Sequence, residues 1–585
     1  MRDGEAALGG ASTVQGRELS VRAVVVALLV AVVIGSSYPY VVLKLGFGPN
    51  IAVVSAFFGW LALSVVSRGA SVKREANLAQ SAGTIAGQTA FLCTVLAAFD
   101  MLSQDPSVGI DLRLSKLQTF LWLTTAGVLG VLLAVPLRRH YIVDEKLPYP
   151  DGFAAGETLL VLDARGAEAT LAVRALIGGL IASAVLALAT MRKWMVDELP
   201  IKLNAFSEVT GVGCALSFLS LGSGMLIGIR ICANMFAGLL ISWVLAPVFL
   251  ADAGILAEGA RKTDVLLWVM WPATGMMIAG GLTALFLKWS TLVATFRQLS
   301  GARVDSEDFP LRWVIVGSCV SAVALVLVQY FSLGLPIWET VLAIVFTIPL
   351  MLVGLRVFGE TNWGPISALS NVMQGVFGVI SPGSVQSNML ASGVTGSIAA
   401  ESEGVMQCYK TGEMVGSTPR VITWIQLFAV PIGALALAFA YPLLRDTYGL
   451  DPEVKGALSS PISQKWVGFA KLLSKGTDAL HPSALWALGI AVVLGVVFTV
   501  LEQKKSLRTW VPSPTGIGIG MLVPASAVAT MFLGAVIDFV ARKSSTKNPD
   551  GWILPLASGL IAGEALIAIV LPLLIALGVL AVAGA

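Results

Sequence analysis

A run of about 20 apolar residues can cross the hydrocarbon core of a bilayer as a helix and has few other stable fates. Fourteen such windows stand in this chain, from 22–45 at one end to 553–583 at the other. Two weaker stretches, 362–382 and 384–400, are rich in Gly, Ser and Asn and bring the expected number of spans to 14–16. Pro572 inside the last window leaves open one tilted helix or two short ones. The 585 residues are 56% hydrophobic and only 12% charged, and the charges collect between the apolar runs. The fold class that follows is all-α, a polytopic integral membrane protein.

Charge and cysteine content narrow the partners. Net charge is +3, and no Lys/Arg-rich run is interleaved with aromatics, so nucleic acid is not an expected partner and the lipid bilayer is. The five cysteines are scattered without a Cys-x-x-Cys and read as small apolar residues, so neither a metal site nor a cofactor is expected. Lys73 and Arg74, then Arg138, Arg139 and Lys146, suit the cytoplasmic side if the N-terminus is inside. Counting the windows as crossings then puts both termini in the cytoplasm and the chain in the cell membrane, plasma or inner. Arg542 and Lys543 break the rule in that count, and 441–482 becomes a long extramembrane loop.

Internal repetition divides the chain further. Pro148-Tyr149-Pro150-Asp151-Gly152 recurs as Pro512-Ser513-Pro514-Thr515-Gly516, and Ser223 to Gly228 recurs as Ser558 to Gly563 in the same order. These matches suggest a polar tail, 1–21, a first membrane repeat, 22–310, and a second, 311–585. Each Pro-x-Pro opens a stretch too polar or Gly-rich for an ordinary span, which predicts a re-entrant or broken helix. The paired Gly and Ser motifs read first as close helix packing.

At these residues the sequence resembles the oligopeptide transporter superfamily, in particular its yellow stripe-like branch and related bacterial members. Glu75-Ala76-Asn77-Leu78-Ala79-Gln80-Ser81 is similar to that family's Glu-x-Asn-x-x-Gln-[Thr/Ser] segment. Lys146-Leu147-Pro148-Tyr149-Pro150-Asp151-Gly152 resembles its Lys-Leu-x-[Tyr/Phe]-Pro-x-Gly segment, the most specific match. Gln407 to Gly412, with Pro419-Arg420, and Ala557 to Glu564 resemble two further blocks, although Gly404 and Cys408 stand where the family usually carries acidic residues. The resemblance implies proton-driven uptake, with oligopeptides or metal chelates as substrate classes.

Independently of family, an ionisable side chain at the bilayer centre costs roughly 2.5 to 3.5 kcal/mol on insertion scales and needs a reason to be there. Glu157, Glu564 and Asp538 are the candidates for proton coupling; an interfacial position or a paired charge is the alternative for each. Lys410 is either an anchor for a substrate carboxylate or part of a solvated loop with Glu401, Glu403 and Glu413. Amides supply donors and acceptors together, so Asn362, Asn371, Gln374 and Asn388, with Trp363, read as substrate contacts or as interhelical hydrogen bonds. Asn77 and Gln80 repeat at helical spacing on an apolar window and join the candidate substrate contacts, as does Tyr149.

The leading expectation is a secondary transporter, a proton-coupled symporter of small peptides or peptide-like chelates, whose apolar surface permits a homodimer. The alternative is a membrane-embedded enzyme acting on a lipid-linked substrate, but no His-Glu-x-x-His or Asp-Asp-x-x-Asp supplies its chemistry. An ATP-driven pump would need a separate ATPase, since no Gly-Lys dipeptide occurs for a phosphate loop.

Overall fold

The computed structural model describes residues 18–576, except 46–47, 49–50, 68–70, 106–110, 164–166, 257–261, 288–308, 362–365, 452–453, 455–456, 459, 476–481, 505, 508–509 and 545–548. Its helices fall into four blocks along the chain. The first holds α1 (Val21–Leu45), α2 (Ile51–Ser67), α3 (Lys73–Phe91), α4 (Cys93–Gln104), α5 (Lys116–Ala134) and the short α6 (Pro150–Asp163). The second holds α7 (Ala167–Met191), α8 (Ser207–Thr210), α9 (Phe218–Ile227), α10 (Ile229–Leu239), α11 (Ala246–Asp252) and α12 (Lys262–Leu287). Between α7 and α9, β1 (Glu198–Pro200) pairs antiparallel with β2 (Gly213–Ala215). The third holds α13 (Leu311–Leu333), α14 (Ile337–Thr361), α15 (Ile366–Ile380), α16 (Val385–Val415), α17 (Pro419–Tyr448) and α18 (Pro461–Lys475). The fourth holds α19 (Pro482–Glu502), α20 (Pro514–Leu522), α21 (Ala525–Ser544) and α22 (Asp550–Ala576).

Blocks one and three pack together around α3 and α16, while blocks two and four form a second bundle in which α22 lies along α7 and α12 along α19. Twelve helical stretches among the described residues are long and apolar enough to cross a bilayer. Composition decides where each one sits. The stretch Lys73–Gln104 is 83% buried, whereas Leu311–Leu333 is 17% buried and turns Val316, Val320 and Val323 outward, as lipid requires. Close packing within the second bundle depends on the recurring Gly motif. A methyl group on Gly559 or Gly563 would run into the carbonyl oxygens of Leu176 and Leu180 on α7.

Both Pro-x-Pro segments open short helices. Pro150 begins α6, 14 residues long, and Pro514 begins α20, nine residues long, behind Ser513, whose hydroxyl accepts the Gly516 N–H at 3.2 Å. At 1.5 Å per residue these reach about 21 and 13 Å, short of a roughly 30 Å hydrocarbon core. They lie in different bundles, α6 against α16 and α20 against α10 and α12. The last apolar window is one helix, α22, as far as Ala576.

Two sequence expectations need revision. The stretch 441–482 does not stay outside the bundle: α17 continues to Tyr448, and α18 folds back against α4 and α15 with Trp466 fully buried. The first and last described helices, α1 and α22, also point their outer ends to opposite ends of the molecule. Asp163 accepts from Ser71 (2.6 Å) and the Val72 N–H (2.9 Å) at the start of α3, and Arg22 pairs with Glu75 at 2.7 Å, so α1, α3 and α7 start at one end of the molecule. α22 runs parallel to α7, with Gly559 beside Leu176 and Gly563 beside Leu180, so Ala576 lies at the end opposite Val21. The six steps from Ser544 to Asp550 span at most about 20 Å. Arg542 and Lys543 therefore share the end of Val21.

Candidate functional site

α16 is 31 residues long, about 46 Å, and only its first half reads in the sequence as a span, a weak one. Ser384 caps its start by accepting the Ser387 N–H, and Gly416, at φ 77°, ends it. It survives at depth because α3, α5, α6, α14 and α15 surround it, so its polar groups meet protein rather than lipid. Two polar regions lie along it.

The first lies between α15, α16 and α18. Gln374 Nε2 donates to the carbonyl of Trp466 at 3.1 Å, and Asn388 Nδ2 donates to the carbonyl of Gln374 at 2.5 Å. Gln374 Oε1, Asn388 Oδ1 and both amide atoms of Asn371 are buried without a protein partner. A buried polar atom left unpaired costs about 1–3 kcal/mol, so four of them in one region make it a candidate for meeting a polar group.

The second lies between α3, α5, α6 and α16. Asn77 is fully buried with neither amide atom partnered, while Gln80 is held by Thr84 at 2.9 Å and Cys408 at 3.7 Å. Glu401 is fully buried; Thr89 donates to one carboxyl oxygen and the other has no partner. Gly127 and Gly130 on α5 give it room, since a methyl group at either would press on its side chain. Two residues on, Glu403 is also buried, and Asp151 at the start of α6 lies near enough for the two carboxyl groups to act on each other. Among the described residues neither Glu401 nor Glu403 has a Lys or Arg in an ion pair. The α6 contact is tight: Thr411 donates to the Gly152 carbonyl at 2.8 Å, and a side chain on Gly152 would strike the Gln407 backbone.

Other residues singled out from the sequence hold different places. Tyr149, at φ 39°, donates its hydroxyl to the Leu355 carbonyl (3.1 Å) and its amide to Gly359 (3.0 Å), fastening the start of α6 to α14. Lys410 pairs with the exposed Glu413 at 2.7 Å, and Glu157 is exposed on α6. Glu564 is buried but fully partnered, by Lys44 at 2.6 Å, by the Ser217 hydroxyl at 2.9 and 3.1 Å, and by the Leu219 N–H at 3.0 Å. That amide belongs to the first turn of α9, whose dipole favours a carboxylate there. Asp538 is paired with Arg542 at 2.7 Å. Asn362 and Trp363 lie outside the described residues. Reading 401–413 as a solvated loop missed Glu401 and Glu403; the signals that would have found them are the cap at Ser384, the stop at Gly416 and the absence of proline between.

Comparison with known proteins gives these polar regions a context. The family model of the OPT oligopeptide transporter proteins matches residues 18–575. A "Putative oligopeptide transporter" of Haemophilus influenzae is 25% identical over 86% of this chain and 88% of its own length. One of the same description from Saccharomyces cerevisiae is 21% identical over 86% and 87%. A metal-nicotianamine transporter of Arabidopsis thaliana is 25% identical over 31% of this chain and 28% of its own.

Proposed function

Because the chain belongs to the OPT oligopeptide transporter family, we propose that it is a secondary active transporter carrying oligopeptides or peptide-like metal chelates in symport with protons. The carrying observation is that buried amides without a protein partner and a buried carboxyl group with no cation beside it among the described residues lie together around α16. Amides at Asn77, Asn371, Gln374 and Asn388 match the donors and acceptors of a peptide bond or a chelator. Glu401 is the residue proposed to take the coupled proton, with Glu403 and Asp151 beside the same path. An enclosed carboxylate without a counter-charge is expensive, and a bound proton removes the charge that makes it so. Glu564 and Asp538 already hold partners, and Glu157 faces outward, which moves the coupling role away from them.

In this reading the protein sits in the cell membrane, plasma or inner, with its N-terminus in the cytoplasm, which the basic residues at that end support. The test is uptake by the purified chain in liposomes, from a panel of peptides and metal chelates. An inwardly directed proton gradient should drive accumulation of at least one solute, and a protonophore should abolish it. Equal uptake with and without the gradient removes the coupling claim.

A further inference from the structure

The segment after α17 enters the bundle and climbs out again as α18. Near its start, the Ser463 hydroxyl donates to the Thr94 carbonyl at 2.6 Å, at the beginning of α4; farther on, Lys471 pairs with Asp105, just beyond the end of α4. Thr94 and Asp105 are 11 residues apart, about 16 Å of helix, so the first turns of α18 lie that much deeper than its end. Lys465 stands in this deep part and is 3% exposed. Its ammonium meets the hydroxyl of Ser367 and, among the described residues, no carboxylate.

The surroundings of Lys465 are polar on one side. Ser367, Asn371 and Gln374 recur at i, i+4 and i+7 and share one face of α15. Ser367 also accepts from Trp466 Nε1 at 3.0 Å, and Gln374 donates to the Trp466 carbonyl, so that face of α15 is joined to α18 at Lys465 and Trp466. On the same face Asn371 keeps both amide atoms unpartnered. An ammonium carries three donors, and Ser367 accounts for one. A buried cation lacking a counter-charge is tolerated where an anion arrives to complete it. Beginning helices at depth is also how many transporters build a solute site.

We propose that Lys465 anchors a carboxylate of the transported solute, with Asn371 meeting the adjacent amide or hydroxyl. This rests on the transport reading above and narrows its substrates to solutes that carry a carboxylate. It replaces Lys410, which is engaged by Glu413, in the anchoring role.

The experiment measures binding to the detergent-solubilised full chain, and uptake in liposomes, of trialanine, trialanine C-terminal amide and iron(II)–nicotianamine. The wild-type chain should bind at least one of the two carboxylate probes. Lys465→Met should weaken that binding about 10- to 100-fold, the scale of a lost charge-assisted hydrogen bond, and Lys465→Arg should keep most of it. Where trialanine binds, its amide should bind the wild-type chain as weakly as trialanine binds Lys465→Met. Because Lys465→Met removes an unpaired buried charge, its melting temperature should not fall, which separates lost binding from lost folding. A melting temperature that does fall, or an undiminished affinity for the carboxylate probe in Lys465→Met, overturns the proposal. Binding of neither carboxylate probe by the wild-type chain also overturns it. Gradient-driven uptake of a carboxylate-free peptide by that chain would then leave the transport reading standing, and no uptake of any solute would remove both.

Discussion

Lys44, in the last turn of α1, holds Glu564 of α22 at 2.6 Å, and the pair joins the two helix bundles. Tyr448 of α17 reaches the Ala568 carbonyl at 3.2 Å and Tyr40 lies against Tyr448, so the polar tie has an aromatic neighbour on the same seam. Separating the bundles would leave a buried carboxylate facing only the α9 amide and the Ser217 hydroxyl. Glu564→Gln should destabilise the protein by about 2 kcal/mol, less than the 3–5 of a fully enclosed pair. The reduction follows from Lys44, whose side chain is 27% exposed. Thermal unfolding in detergent of Glu564→Gln, Lys44→Met and the double variant checks this, and the double variant should lose less than the sum of the singles.

Glu401 is expected to separate coupling from binding. In Glu401→Gln, proton-driven accumulation should fall at least tenfold, while exchange of labelled for unlabelled solute across the liposome membrane persists. Glu157→Gln should accumulate solute like the wild-type chain, because that side chain is exposed. Loss of exchange in Glu401→Gln would make the residue structural.

Gly152 brings α6 against α16. Gly152→Ala puts a methyl group into the Gln407 backbone, where no flexible side chain can give way. The expected cost is about 1–3 kcal/mol, read as a lower melting temperature, and the hydrogen bond from Thr411 to the Gly152 carbonyl should be the first to break.

Opposite placement of the two ends is open to direct test. Reporters that fluoresce only in the cytoplasm, fused before residue 18 and after residue 576, should give opposite signals in the same cells. Equal signals would contradict the parallel course of α7 and α22.

Much of the outer architecture was legible because lipid-facing helices such as α13 and α19 have to be apolar on nearly every side. The Pro-x-Pro openings likewise announced short helices at Pro150 and Pro514. The interior was harder to read. A helix enclosed by protein is released from the apolar requirement, so the second half of α16 carries Glu401, Glu403 and Gln407 and looks in sequence like a loop. Lys465 was hidden for a related reason: α18 is amphipathic and follows a polar stretch, which describes a surface helix as well as one tucked between α4 and α15. Asn371, Gln374 and Asn388 stand out in the sequence because amides are conspicuous against an apolar background. Whether a given carboxylate has a cation beside it, as Glu564 has and, among the described residues, Glu401 has not, depends on contacts between helices hundreds of residues apart.

The alternation of blocks between the two bundles bears on how the chain is made. α3 waits for α16, and α7 waits for α22, so neither bundle holds its central helix pair when the ribosome has finished residue 310. The first half must persist in the bilayer with α1, α2 and α3 packed on one another but without their partners from the second half. A fragment ending there has no complete unit to fall back on, and quality-control proteases should remove it rather than leave half a transporter in the membrane.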